Sequence, residues 1–211
     1  MREILKIDRQ RPDDSVITEA SSILRAGGIV AYPTETFYGL GADGKNEEAV
    51  KKIFLIKGRN FKNPVSVIIG DANDVKGLVE EIPTFALRLM EKFWPGALTI
   101  IFKASPDVSH LLKAGTGKIG IRLSNHPVAM ALAKKLGHPI TATSANLSGN
   151  DECTRADEVI QAIGDQIDAV IDGGQTPGGS GSTIIDVTTD PPAILREGVI
   201  SRYELNKAAF V

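Results

Sequence analysis

The chain has 211 residues, of which 42% are apolar and 24% charged, with a formal net charge of −2. That balance suits a globular protein and excludes wholesale disorder and a uniformly basic nucleic-acid binder. Cys153 is the single cysteine, which excludes an internal disulfide and an all-cysteine metal site.

Val16, Ile17, Ala20, Ile23 and Leu24 recur at helical spacing over 15–26, and Gly27-Gly28 stops them. Residues 28–32 read as a short buried strand closed by Pro33. Ala49, Val50, Ile53 and Phe54 predict a helix over 47–56. Further strands are expected at 65–69, 98–102, 119–123 and 140–143, with helices at 84–93 and 126–136 between them. A helix over 157–163 follows, with Thr154 as its expected N-cap. Closely spaced strands at 170–171, 183–187 and 193–195 close the chain, and Gly173–Gly181 is the longest loop signal. Helices separate the early strands and short turns the late ones, so the expectation is a single α/β domain with a twisted mixed sheet flanked by helices. No apolar run approaches the ~18 residues of a membrane span. Met1 to Arg11 is mixed in charge without a signal-peptide apolar core. The expected location is the cytoplasm, with no membrane partner.

The charges are unevenly spread. Residues 49–70 hold Lys51, Lys52, Lys57, Arg59 and Lys62 and no acid; residues 108–150 hold Lys113, Lys118, Arg122, Lys134 and Lys135, again without an acid. The paired lysines fit solvated helix faces. Basic residues near loops could instead converge on one anion site, for a polyphosphate, an RNA backbone or both.

Gly115–Gly120 matches GxGxxG in letters, but a strand follows it where the dinucleotide fingerprint needs a helix. Gly117-Lys118 lacks the rest of a P-loop. Pro33-Thr-Glu-Thr-Phe-Tyr-Gly-Leu-Gly41 carries two threonines that share a side if the chain is extended; it also fits a loop whose hydroxyls satisfy nearby backbone. In Lys57-Gly-Arg59, Gly58 favours a helix end that aims both cations at one place, or a simple C-terminal cap. Ser144 and Asn146 are spaced by two just past a strand end, where α/β proteins bind ligands and where polar turns are also common. Gly178–Thr183 offers free N–H groups and hydroxyls for an anion nest or for a flexible loop. Arg122 and Arg196 are lone arginines at strand ends, free or structurally paired. The three histidines lack metal-ligand spacing, so no protein metal site is expected. No nucleophile–base pair stands out, Cys153 included, so covalent catalysis is not expected.

Taken in order, PTETFYGLG, KGR, NPVSV, WPGALT, IGIRL-SNHP, TSANLSG and STIIDV…REG resemble the YrdC-like family of threonylcarbamoyl-AMP synthases over about 4–203. The resemblance implies one YrdC-like domain over 1–211, without the C-terminal extension domain of longer relatives, and a basic concave cavity. It implies an enzyme, a nucleotidyltransferase, that joins L-threonine, bicarbonate or CO2 and ATP into threonylcarbamoyl-AMP and pyrophosphate. A partner transferase then modifies adenosine 37 of tRNA. The family's basic-polar tetrad falls on Lys57, Arg59, Ser144 and Asn146. The threonine contacts fall on Thr36, Arg122 and Ser182. The ATP contacts fall on Arg59, Asn63, Ser144 and Arg196, with Lys118 where some relatives use a threonine near the nucleotide. Ile68 stands where some relatives place a histidine near threonine. Mg2+ would ride on the phosphates. The alternative is a module that holds structured RNA, double-stranded or tRNA, without catalysis.

Overall fold

The computed structural model describes residues 3–209. Along it run β1 (Glu3–Lys6), α1 (Asp14–Arg25), β2 (Val30–Pro33), β3 (Tyr38–Gly41), α2 (Glu47–Lys57), β4 (Val67–Ile68) and a 3-10 segment (Ala72–Gly77). Then come α3 (Thr84–Phe93), β5 (Leu98–Lys103), the one-turn α4 (His110–Lys113), β6 (Lys118–Arg122), α5 (Pro127–Leu136), β7 (Ile140–Thr141) and β8 (Thr143–Ser144). α6 (Ala156–Ile163), a 3-10 turn (Gly164–Gln166), β9 (Ala169–Asp172), β10 (Thr183–Asp186), β11 (Ala193–Arg196) and α7 (Arg202–Ala209) complete it.

The helix boundaries follow their capping chemistry. The Asp13 side chain accepts the Ser15 N–H at the start of α1, and the Asn46 side chain accepts that of Ala49 in the first turn of α2. Pro127 opens α5, where its missing N–H costs nothing. Gly58 ends α2 at φ +57°, a left-handed conformation that glycine adopts without strain. At α6 the structure corrects the expected cap. Thr154 lies one residue too early, Arg155 occupies the N-cap position, and the Glu158 carboxylate reaches back to accept both their N–H groups.

The strands form two mixed sheets, not one. Their orders are β1-β9-β2-β3-β8 and β11-β10-β5-β6-β4-β7. In the first, β9 runs parallel to β1 and β2, while β3 is antiparallel to β2 and β8. In the second, β5 and β10 run parallel, and β6 and β11 run antiparallel to them. The sheets meet where one strand was expected over 140–143. β7 pairs with β4, β8 pairs with β3, and the chain changes sheet at Ala142. There the N–H of Thr141 donates to Ala42 O at 3.0 Å and that of Ala142 to Ser66 O at 2.7 Å.

Three aliphatic clusters hold this arrangement. Ile17 and Leu24 of α1 and Leu132 and Leu136 of α5 pack with Tyr32 and Ile171 on one face of the first sheet. Ile53 of α2 and Val159 and Ile163 of α6 pack with Leu40 and Val170 on its other face. Leu89 of α3 and Leu205 of α7 cover Ile100, Phe102 and Ile121 of the second sheet. Burying each such side chain stabilises the fold by about 1.5–3 kcal/mol before chain entropy is counted.

Candidate active site

A cavity of about 480 Å³ opens between the two sheets. Lys57, Arg59, Ser144, Asn146, Thr36, Arg122, Ser182 and Arg196 all line it. Asn63 and Lys118 do not. The Asn63 side chain is exposed outside the cavity, although its backbone carbonyl anchors Arg59. Lys118 stands at the start of β6, roughly 13 Å along the strand from Arg122. There it pairs with Asp186 at 2.8 Å.

Because α2 ends at Gly58, Lys57 points into the protein and is 3% exposed. Its Nζ donates to Ser144 O (2.6 Å), Asn146 O (2.8 Å) and Asn146 Oδ1 (2.9 Å). An ammonium has three N–H groups, so all of them are committed. Burial, with the Arg59 charge beside it, pushes its pKa down to about 8. Ser144 Oγ also donates to Asn146 Oδ1, at 2.6 Å, and Asn146 Nδ2 donates to the carbonyls of Asn150 and Asp151. These three residues therefore pin the segment from Ser144 to Asp151 into one shape.

The arginines supply the unspent donors. Arg59 is tethered along one edge, Nε to Asn63 O at 3.1 Å and Nη2 to Pro64 O at 2.8 Å, which leaves Nη1 open. Phe61 stacks on Phe54 at 4.9 Å and steadies that loop. Arg196 holds Ser182 O through Nε and Nη2, and Nη2 also reaches Ser182 Oγ, itself 2.9 Å from Thr99 Oγ1. Burial pulls the pKa of both arginines down, but neither loses its charge at ordinary pH. Arg122 is buried and makes no hydrogen bond to any described residue; its neighbour of opposite charge is Glu35 at 3.7 Å.

Thr34 Oγ1 donates to Phe37 O at 2.7 Å, so the 3.1 Å contact between the hydroxyls is donated by Thr36. The two threonines spaced by two do share a side, as a buried pair. Ile68 lies beside Arg122 on β4 but packs against Val128, Ala129 and Ile140 and does not reach the cavity. Cys153 is buried and its thiol is pushed up to about 11, so it is inert as a nucleophile.

Thr34, Ser66, Thr99, Asp151 and Glu152 also line the cavity, and sequence reasoning missed them as site residues. Thr34, Ser66 and Thr99 all lie within quoted motifs, PTETFYGLG, NPVSV and WPGALT, but nothing local marks Ser66 or Thr99 for such a role. Among the described residues, no three or more His, Cys, Asp or Glu side chains gather to hold a metal, and no helix is long and apolar enough to cross a membrane.

The family model for Sua5, YciO and YrdC, described as "Telomere recombination", matches residues 22–198. The threonylcarbamoyl-AMP synthase of Bacillus subtilis (strain 168) is 42% identical over 199 residues, which span 94% of this chain and 58% of that protein. Among solved structures, Pyrococcus abyssi Sua5 complexed with L-threonine superposes with a TM-score of 0.94 at 38% identity, covering 97% of this chain and 60% of that one. Escherichia coli YciO superposes at 0.86 with 31% identity, covering 94% and 97%. This chain belongs to the Sua5/YciO/YrdC family. It spans about three fifths of the length of the Bacillus relative and of the Pyrococcus chain.

Proposed function

We propose that this chain is an L-threonylcarbamoyladenylate synthase, a nucleotidyltransferase that forms threonylcarbamoyl-AMP and pyrophosphate from L-threonine, bicarbonate or CO2 and ATP. The observation that carries the reading is the meeting of Arg59, Arg122 and Arg196, from three distant segments, on one cavity walled by a pinned polar turn. The names of the relatives support the reaction.

The chemistry suits that set. The threonine amine is first converted to a carbamate, with loss of water when bicarbonate is the source. A carbamate oxygen attacks the α-phosphorus, the bond from that phosphorus to the bridging oxygen breaks, and pyrophosphate leaves. Nucleophile and electrophile are both anionic, so the protein's work is to neutralise charge and align the reactants. Arg122 is assigned to the threonine carboxylate, with Thr36 and Ser182 beside it. Arg59 and Arg196 are assigned to the phosphates, where a guanidinium matches the oxygen geometry. Ser144 retains acceptor capacity toward the nucleotide. The saturated ammonium of Lys57 shapes the turn and contributes charge.

Mg2+ keeps several waters and needs few protein ligands. The cavity's carboxylates, Asp151 and Glu152, do not amount to a cage of their own, which fits an ion delivered on the phosphates. The product is a mixed anhydride, and the acceptor on this reading is tRNA adenosine 37, reached through a partner transferase. The test is pyrophosphate release from ATP and Mg2+ with and without L-threonine and bicarbonate, with serine and glycine as controls. Release that requires both threonine and bicarbonate is expected. No release from folded protein that still binds ATP or RNA overturns the reading in favour of a binding module.

A further inference from the structure

Arg122 is a buried guanidinium with five N–H donors and no hydrogen-bonded protein partner among the described residues. Buried polar groups are normally paired, and the exceptions in native structures call for a reason. Its Nε faces Glu35 Oε1 at 3.7 Å, and neither atom has a hydrogen-bond partner. The other Glu35 oxygen is not idle, since it accepts from the hydroxyl of Ser124, two residues beyond Arg122. That hydroxyl also accepts the N–H of His126, the residue that caps α5. Glu35 is thus clamped between the first turn of α5 and the threonine pair, because its own backbone links Thr34 to Thr36. It does not itself line the cavity.

We propose that Glu35 is a positioning residue: tethered by Ser124, its carboxylate turns the Nε edge of Arg122 away from the cavity and so presents the terminal amino nitrogens to the carboxylate of the amino-acid substrate. This rests on the reading of the site given above. Two effects of Glu35 oppose each other. A carboxylate beside an arginine weakens its pull on a second anion, so removing it would tighten binding on charge alone. It also fixes the direction of a long side chain that has no other tether, so removing it would loosen binding through lost orientation. A bidentate contact needs the fork held in place, and orientation dominates here because no described residue hydrogen-bonds the guanidinium.

The experiment compares wild type with Glu35→Ala, Glu35→Gln and Ser124→Ala by steady-state pyrophosphate release, varying L-threonine and ATP separately, with thermal unfolding alongside. Glu35→Ala is expected to raise KM for threonine by about tenfold while KM for ATP and kcat at saturating threonine stay within about twofold. Glu35→Gln keeps an acceptor oxygen and is expected to recover most of that loss. Ser124→Ala keeps both charges, cuts the tether, and is expected to raise the threonine KM by about threefold; it serves if Glu35→Ala fails to fold. An unchanged or lowered threonine KM in these variants overturns the proposal, and so does an equal rise in both KM values, which marks a structural role. Wild type that releases pyrophosphate without threonine, or not at all, removes the functional reading itself and this inference with it.

Discussion

Replacing Lys57 by methionine keeps most of the side-chain volume and removes the three donors that pin the turn after β8. The acceptors left behind differ. Ser144 O borders the open cavity and regains water, Asn146 Oδ1 keeps the Ser144 hydroxyl, and Asn146 O lies buried with its donor gone. An unsatisfied buried acceptor costs about 1–3 kcal/mol and a hydrogen bond to a charged group contributes about 1.5–3. Relief from burying an ammonium that is 3% exposed offsets part of this. A net loss of about 3 kcal/mol follows, which for a chain of this size lowers Tm by roughly 6–12 °C. Loosening Ser144 to Asp151 also misplaces the cavity wall, so kcat/KM for threonine-dependent pyrophosphate release falls by about 100-fold. Differential scanning fluorimetry and the pyrophosphate assay read the two effects on one preparation. A Lys57→Met protein with wild-type Tm and wild-type kcat/KM would refute the reasoning.

Lys57 titrates near 8 in the folded chain and 10.5 unfolded. Above pH 8 the cavity loses a positive charge and activity falls, a limb that Lys57→Arg should remove because arginine keeps its charge. Stability moves the other way: between pH 8 and 10.5 the unfolded chain binds the extra proton, so this group's contribution rises with pH. Urea titrations at those two pH values should show wild type gaining on Lys57→Met; the opposite slope sinks the assignment. Gly120 packs behind Ser66 and Thr99 of the cavity lining, and a Cβ there would stand 2.5 Å from Ser66 Oγ and 3.3 Å from Thr99 Cγ2. Gly120→Ala should cost about 1–3 kcal/mol in overpacking and reduce activity, and a variant with unchanged urea midpoint and rate would show that the lining has room.

Where hydrophobic periodicity is strong, the elements were legible. The stripes that predict α1, α2, α3 and α5 are found with boundaries within a residue or two. β3 was not legible, because Tyr38-Gly-Leu-Gly41 has two glycines and no alternation; it is a strand only because β2 and β8 flank it and both its faces are buried. β1, with charges at both ends, and the helices α4 and α7 lacked a signal for the same kind of reason: each is short and takes its stability from packing. The expected strand at 140–143 shows the limit of reading strands one at a time, since pairing partners, not the letters, decide that Ala142 is a break. In the site, Gly58 made Lys57 and Arg59 readable as one locus. Lys118 lies away from the cavity because which end of a strand faces it depends on topology, and Glu35 was invisible because its partner lies 87 positions along the chain.

Topology also explains why two lone arginines become one site. Ligands of α/β sheets collect at the carboxyl ends of strands, and Arg122 and Arg196 are the last residues of β6 and β11. Both strands run antiparallel to their neighbours β5 and β10. Their carboxyl ends therefore lie on the same edge as the amino ends of β5 and β10, where Thr99 and Ser182 stand. The register makes this explicit. Thr99 pairs with Ile184 and Ile184 with Arg196, while Ile121 opposite Ile100 sets Arg122 beside Thr99. Arg122 and Arg196 thus sit on one rung, on one face, three strand spacings apart, or roughly 14 Å between backbones at about 4.8 Å each. Arg196 is tied to Ser182 at its own end of the rung, while Arg122 stands against Glu35 at the other. A ligand with a carboxylate at one end and phosphates at the other suits that spread, and the reaction proposed for this cavity brings those two groups together.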